Sequence, residues 1–252
     1  MSGHSKWANI KHQKGAEDAR RGQLFTKLTR EIMIAVKEGG DNPESNFRLR
    51  LAIQKAKDGA MPMDNVQRAI KRAAGKEEGM VLTEVTYEGY GPGGVAILVE
   101  TMSDNRNRTL QELRNVFSRG GGSLGESGCV AWMFQQKGVI HIPIGNKDPD
   151  ELSLQAIDAG ADDVDIAGDN LAVYTKPQDV EKVRRILEEK GITIASAEVS
   201  REPQSTISLE EKKAVQTVKL LEKLEGMDDV QKVYSNIDIS EEVMKQVVAS
   251  SG

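Results

Sequence analysis

Over residues 23–38 the apolar side chains Leu24, Phe25, Leu28, Ile32 and Val36 recur at helical spacing and share one face. Gly39-Gly40 ends that run, and Asp41-Asn42-Pro43 turns the chain. The pattern predicts a second helix over 43–57, with Phe47, Leu51, Ala52 and Ala56 inward and Gly59 and Pro62 as breakers. Asp64 is placed to cap a third helix reaching residue 74, with Val66, Ile70 and Ala73 inward and Gly75 closing it. Three helices of this length suit a small bundle.

Past residue 80 the period changes. Residues 81–88 and 95–101 are β-rich runs joined by Gly89-Tyr90-Gly91-Pro92-Gly93-Gly94, a hairpin signal. A helix follows over 107–118, with Leu110, Leu113, Val116 and Phe117 inward. The glycine-rich loop 119–125 then leads to an expected strand over 129–134. Strands at 139–144, 163–167, 171–174 and 192–199, with helices at 149–159 and 177–189, give the order β-α-β-β-α-β, the ferredoxin-like plan. The tail adds a helix over 209–224, a strand over 230–237 and a last helix from Ser240. Neither the tail nor the preceding ββαβ segment is large enough for a core of its own. The expected fold is therefore α+β and multidomain. A basic arm (1–22) precedes a three-helix bundle (23–78). An α+β domain built from 79–136 and 204–252 follows, and a ferredoxin-like α+β unit (137–203) is inserted into it.

Composition fits this picture. Hydrophobic residues at 38% and charged residues at 29% are those of an ordinary globular chain. Aromatics are only 4%, so aliphatic side chains must fill the cores. A single cysteine, Cys129, excludes an internal disulfide and fits a reducing compartment. The opening MSGHSKWANIKHQKG lacks the apolar stretch of a secretion signal, and no run approaches the length of a membrane helix. A cytoplasmic protein with no membrane partner is expected.

The net charge of -5 hides an asymmetry. Residues 1–76 hold 16 Lys and Arg against 8 Asp and Glu, a net of +8, whereas the remainder is -13. Such a split points to a basic binding end on an acidic body.

The side chains offer little chemistry for an enzyme. The histidines are His4, His12 and His141, with no CxxC or HxxxH spacing and no completed zinc set. Cys129 lies in a small, glycine-rich context where burial is the ordinary fate of cysteine, and no histidine adjoins it in sequence. The glycine loops lack the GxxxxGK[ST] order of a phosphate loop and read as turns and helix caps. Asp104, Asn105 and Asn107 are N-cap candidates for the following helix. Neither a catalytic residue, a cofactor nor a metal site is expected.

Cations are the strongest feature. Lys6, Lys11, Lys14, Arg20 and Arg21 cluster in the arm with Trp7 and His12 interleaved, and Lys27 and Arg30 continue the run. Arg68, Lys71 and Arg72 share one face of the third helix. Cations neutralise phosphates, and an aromatic ring offers a stacking face. The competing reading is a solvated helix surface beside an arm whose Trp7 docks on the bundle. Arg106 and Arg108 are candidates for a second RNA or protein contact.

Gly3-His4-Ser5-Lys6-Trp7-Ala8-Asn9-Ile10-Lys11-His12-Gln13-Lys14, with Asp18 and Arg21, resembles the opening of the YebC family. Tyr90-Gly91-Pro92-Gly93-Gly94, Asp104-Asn105-Arg106-Asn107-Arg108-Thr109 and Gly121-Gly122-Ser123-Leu124-Gly125 resemble its later motifs. Ser103 stands where many members carry threonine. The resemblance runs nearly end to end. It implies three domains and no catalytic residues. It also implies two functional classes. One is a DNA-binding transcriptional regulator. The other is a translation factor that acts on the ribosome through ribosomal or transfer RNA, including at runs of proline codons; the related mitochondrial member activates translation. DNA, ribosomal RNA or both are the expected partners, with no small-molecule substrate. The mixed basic and aromatic arm slightly favours RNA on physical grounds, whereas the family's usual description favours DNA, and the sequence leaves the oligomeric state open.

Overall fold

The structure, a computed structural model, describes residues 17–75 and 82–239. In chain order the helical part comprises α1 (Glu17–Gly39), α2 (Phe47–Asp58) and α3 (Met63–Ala74). There follow β1 (Thr83–Tyr90), β2 (Ala96–Ser103), α4 (Arg106–Arg119), β3 (Ser123–Leu124) and β4 (Phe134–Pro143). Then come α5 (Pro149–Asp158), β5 (Asp163–Ala167), β6 (Asn170–Thr175), α6 (Val180–Glu189) and β7 (Ser196–Pro203). The chain continues with β8 (Ile207–Ser208), α7 (Glu211–Glu225), β9 (Val230–Ser235) and β10 (Ile237–Asp238). The helix expected from Ser240 lies outside the described residues. Among those residues the chain divides into two compact units, 134–204 and the remainder.

In the larger unit, α1 starts six residues before its apolar stripe. Arg21, Gly22 and Gln23 are exposed and give no hydrophobic signal, and Leu24, expected on the apolar face, is exposed as well. Asn46 defines the start of α2, later than the expected residue 43. Its Oδ1 accepts from Leu49 N at 3.0 Å, and its Nδ2 donates to Ala35 O and Gly40 O at 2.7 Å. One side chain thus caps α2 and closes the end of α1. The inward face of α2 is Leu49, Ala52 and Ala56, whereas Phe47 and Leu51 are only half-buried. The Phe47 ring instead lies 5.7 Å from the Arg50 guanidinium. Asp64 is not the cap of α3. Pro62 occupies that position without a side-chain bond, and Asp64 sits in the first turn, where its charge suits the helix dipole. Leu28, Ile32, Val36, Leu49, Val66 and Ala69 form one core, which continues into Leu82 and Met102. The bundle and the following sheet are therefore packed together.

That sheet has the order β3-β1-β2-β9, all antiparallel, with Tyr87 opposite Val99 and Val99 opposite Val233. Ala96 to Val99 on the inner strand β2 are fully buried, hence their continuous apolar run. Helices α4 and α7 pack together and against this sheet. Residues 131–133 form a 3-10 turn where a strand over 129–134 was expected, and β4 begins only at Phe134. β8 and β10 form a short parallel pair.

The smaller unit has the antiparallel order β5-β6-β4-β7. By register, Ile140 and Ile142 share a face with Val173 and Leu171, and all four are buried. Ile192, expected to open the last strand, instead closes α6. Gly191, at φ 76°, is the left-handed residue of a Schellman cap. Ile192 N donates to Leu187 O at 3.0 Å and Gly191 N to Glu188 O at 2.9 Å. The apolar character of Ile192 therefore belongs to a helix end, and β7 starts at Ser196.

Candidate nucleic-acid interface

Lys6, Trp7, Lys11, His12 and Lys14 lie outside the described residues. Arg20 is on α1, but its side chain is not among those described. Arg21 is exposed, with its guanidinium 5.9 Å from the Phe25 ring.

Further along α1 the cations meet the protein itself. Lys27 Nζ donates to Glu225 O at 2.7 Å. Arg30 donates to Asp228 O and pairs with Asp229 Oδ1 at 3.1 Å. Besides that carboxylate, the partners are carbonyls at and just beyond the C-terminus of α7, where the helix leaves acceptors unpaired and its dipole favours positive charge.

Asp229 is the hub of this junction, and it is almost fully buried. Its Oδ2 accepts from Thr109 Oγ1 at 2.7 Å, Arg108 Nη2 at 2.9 Å and Ser103 Oγ at 3.0 Å. Its own carbonyl accepts from Met102 N at 2.8 Å. Burial alone raises the pKa of this carboxyl. The Thr109, Arg108 and Ser103 hydrogen bonds and the Arg30 charge outweigh that effect and hold it below the ordinary value. The motif 103–109 is thus largely a receptor for Asp229. Asn105 is the N-cap of α4, accepting from Arg108 N at 3.1 Å. Threonine in place of Ser103 would supply the same hydroxyl. Arg108 also bonds Asp104 at 2.9 Å, so its guanidinium is tied to the fold although its side chain, like that of Arg106, is exposed.

Sequence reasoning missed Asp229 altogether. A lone acidic pair before a strand resembles any surface turn, and only the tertiary fold brings four donors to it.

Between α1 and α3 runs a groove of about 790 Å³. Phe25, Met33, Met61, Ala69 and Leu82 line it together with Arg30, Arg68, Lys71 and Arg72. The last three are exposed or half-exposed along α3, whose opposite face buries Val66. Arg68 folds back onto Asn65 Oδ1 and Asp64 O, which keeps it along the helix. Lys71 and Arg72 sit in the last turn, where they also suit the helix dipole.

The glycine motifs serve close packing. A Cβ at Gly89 would lie 2.6 Å from Ser123 O, and one at Gly125 2.6 Å from Cys129 Sγ. Buried Glu88 accepts from the backbone N–H groups of Gly128, Val130 and Ala131 at 2.6, 2.8 and 2.8 Å. Cys129 sits in the loop so held, not on a strand. Burial and the charge of Glu88 push its thiol pKa up, the opposite of nucleophile activation. Among the described residues no cluster of His, Cys, Asp or Glu has the makings of a metal site. No described helix is long and apolar enough to cross a membrane.

Two family models cover the chain: the TACO1/YebC protein N-terminal domain over residues 5–76, and the TACO1/YebC second and third domain over 82–237. The chain belongs to the TACO1/YebC family. A relative from Dehalococcoides mccartyi is 58% identical over 98% of both chains, and one from Moorella thermoacetica is 55% identical over 98% of this chain and 99% of its own. Both carry the name probable transcriptional regulatory protein. The crystal structure of a conserved hypothetical protein from Aquifex aeolicus matches with a TM-score of 0.85 at 47% identity, covering 92% of this chain and 96% of that one. The mixed α+β class expected from the sequence holds, with seven α-helices among the described residues. Family membership also matches the resemblance carried by the quoted motifs.

Proposed function

We propose that this protein is a non-enzymatic transcriptional regulator that holds DNA on the cationic side of the α1–α3 groove, together with its basic N-terminal residues. The observation that carries this reading is the solvent-facing row Arg68, Lys71 and Arg72 on a helix whose other face is buried. A rigid element presenting three cations within two turns binds phosphates without rearrangement. Arg21 on α1 is exposed, and the sequence-adjacent cations Lys6, Lys11, Lys14 and Arg20, with Trp7 and His12 interleaved, would add phosphate-neutralising charge to this grip. Lys27 and Arg30 support the site indirectly, by fixing α1 against α7. The names of the relatives support regulation of transcription as the purpose of that grip.

Crosslinking in cells, followed by sequencing of the bound DNA and RNA, tests the proposal. Enrichment of promoter DNA is the expected result. Enrichment of ribosomal or transfer RNA with no DNA would replace it with action on the ribosome, and enrichment of neither would remove it.

A further inference from the structure

Helix α7 buries Ala214, Thr217, Val218, Leu220, Leu221 and Leu224. Its exposed side carries a row of cations. Lys212, Lys219 and Lys223 stand seven and four residues apart, and Gln216 lies between the first two. At about 100° per residue these four positions fall within an arc of about 60° and span about 16 Å of helix. Each lies two residues from a buried one, so the row faces away from the core.

Helix α4 adds to this face. Gln216 Nε2 donates to Gly120 O at 3.1 Å, and a Cβ at Gly120 would lie 2.7 Å from Leu220 Cδ1, so the end of α4 meets the middle of α7. Arg119, exposed and two residues from buried Phe117, closes α4 on the same outward side. Among the described residues no ion pair or hydrogen bond engages the side chains of Lys212, Lys219, Lys223 or Arg119. Glu211, Glu222 and Glu225 fall on the flank of α7 turned from Leu220, and hence from α4. Glu112, the one acid in α4, lies 4.0 Å from Arg108.

What this face lacks narrows its partner. No large apolar side chain of α4 or α7 is exposed. A protein interface needs an apolar or aromatic anchor, an interfacial helix needs an apolar side to enter a bilayer, and unpaired bases need rings on which to stack. A duplex backbone needs only cations and hydrogen-bond donors.

We propose that Lys212, Lys219, Lys223 and Arg119 form a second, sequence-independent contact for the phosphates of duplex DNA. The inference rests on the reading that the protein holds DNA, and it adds a surface on helices that the α1–α3 groove does not use. Neutralised phosphates release counterions, so each contact strengthens binding and its salt dependence without reading any base.

In the test, full-length protein carrying Lys212→Gln, Lys219→Gln and Lys223→Gln is titrated with duplex DNA of arbitrary sequence across a salt series. All three side chains are exposed, so thermal unfolding should match wild type. The slope of log affinity against log salt is expected to become shallower by roughly 3, and by roughly 6 when Arg68, Lys71 and Arg72 are also replaced by alanine. A control in which Lys176, Lys182 and Lys190, exposed on the smaller unit, become glutamine should keep the wild-type slope. An equal loss in this control would reduce the effect to net charge and overturn the proposal. A wild-type slope in the α7 variant, with the groove variant still impaired, would remove the second face and leave the groove reading standing. If the wild-type chain binds no duplex DNA, both readings fall. A loss seen only with an RNA duplex, or only with vesicles of anionic phospholipid, would assign the face to that partner and overturn its assignment to DNA.

Discussion

Arg30 Nη1 lies 3.1 Å from Asp229 Oδ1, and this pair fastens α1 to the turn between α7 and β9. The two side chains are only 16% and 5% exposed, so solvent screens the pair weakly. Asp229 also receives Thr109, Ser103 and Arg108. A sequence-distant carboxylate therefore joins the helical bundle to the sheet that follows it.

Asp229→Asn keeps the shape and removes the charge. It should lower unfolding stability by about 2–3 kcal/mol, because charge-assisted bonds are lost while the two arginines retain partial access to water. Urea denaturation followed by circular dichroism measures this, and an unchanged midpoint would contradict the hub.

The same carboxylate makes a pH prediction. Its folded pKa is lowered, so its contribution is fully present above the ordinary value of 3.8 and is lost as pH falls through the folded value. The stability difference between wild type and Asp229→Asn should therefore be flat above about pH 5 and shrink on further acidification. A difference that grew on acidification would have the wrong sign.

How much of this was legible in the sequence differs by element. The helix pattern of 23–38 and the apolar run of β2 were readable because one face or one strand is buried against a continuous core. The start of α1 was not, since Arg21, Gly22 and Gln23 are exposed and offer no apolar period. Ile192 read as strand because periodicity cannot separate a capping contact from a β run. The cations of α3 were visible as a row. The partners of Lys27 and Arg30, and the Asp229 partner of Arg108, were not, because each comes from the chain 120 residues or more away. Nothing in the sequence singles out Glu88 or Asp229, and only tertiary contact shows what they hold.

Replacing Arg68, Lys71 and Arg72 together by alanine probes the groove. If each neutralises one phosphate, the slope of log affinity against log salt should become shallower by roughly 3. Thermal stability should change little, because none of the three is buried. Filter binding to duplex DNA across a salt series reads the slope, and a triple variant with the wild-type slope would move the interface elsewhere.

Two glycine substitutions should have opposite signs. In Gly122→Ala the new Cβ collides with the Tyr90 carbonyl and approaches Gly91 Cα to 3.2 Å, both backbone atoms that cannot swing aside. The strand pairing at Ser123 must then shift, at a cost of about 1–3 kcal/mol. Gly22, by contrast, lies in an exposed turn of α1, where an added methyl group would find nothing within 4 Å. Alanine there removes freedom from the unfolded chain and favours the helix, so Gly22→Ala should stabilise by about 0.5–1 kcal/mol. Thermal unfolding of the two variants beside wild type decides the point. A harmless Gly122→Ala would mean that β1 and the 120–125 loop are not held as closely as the backbone positions require.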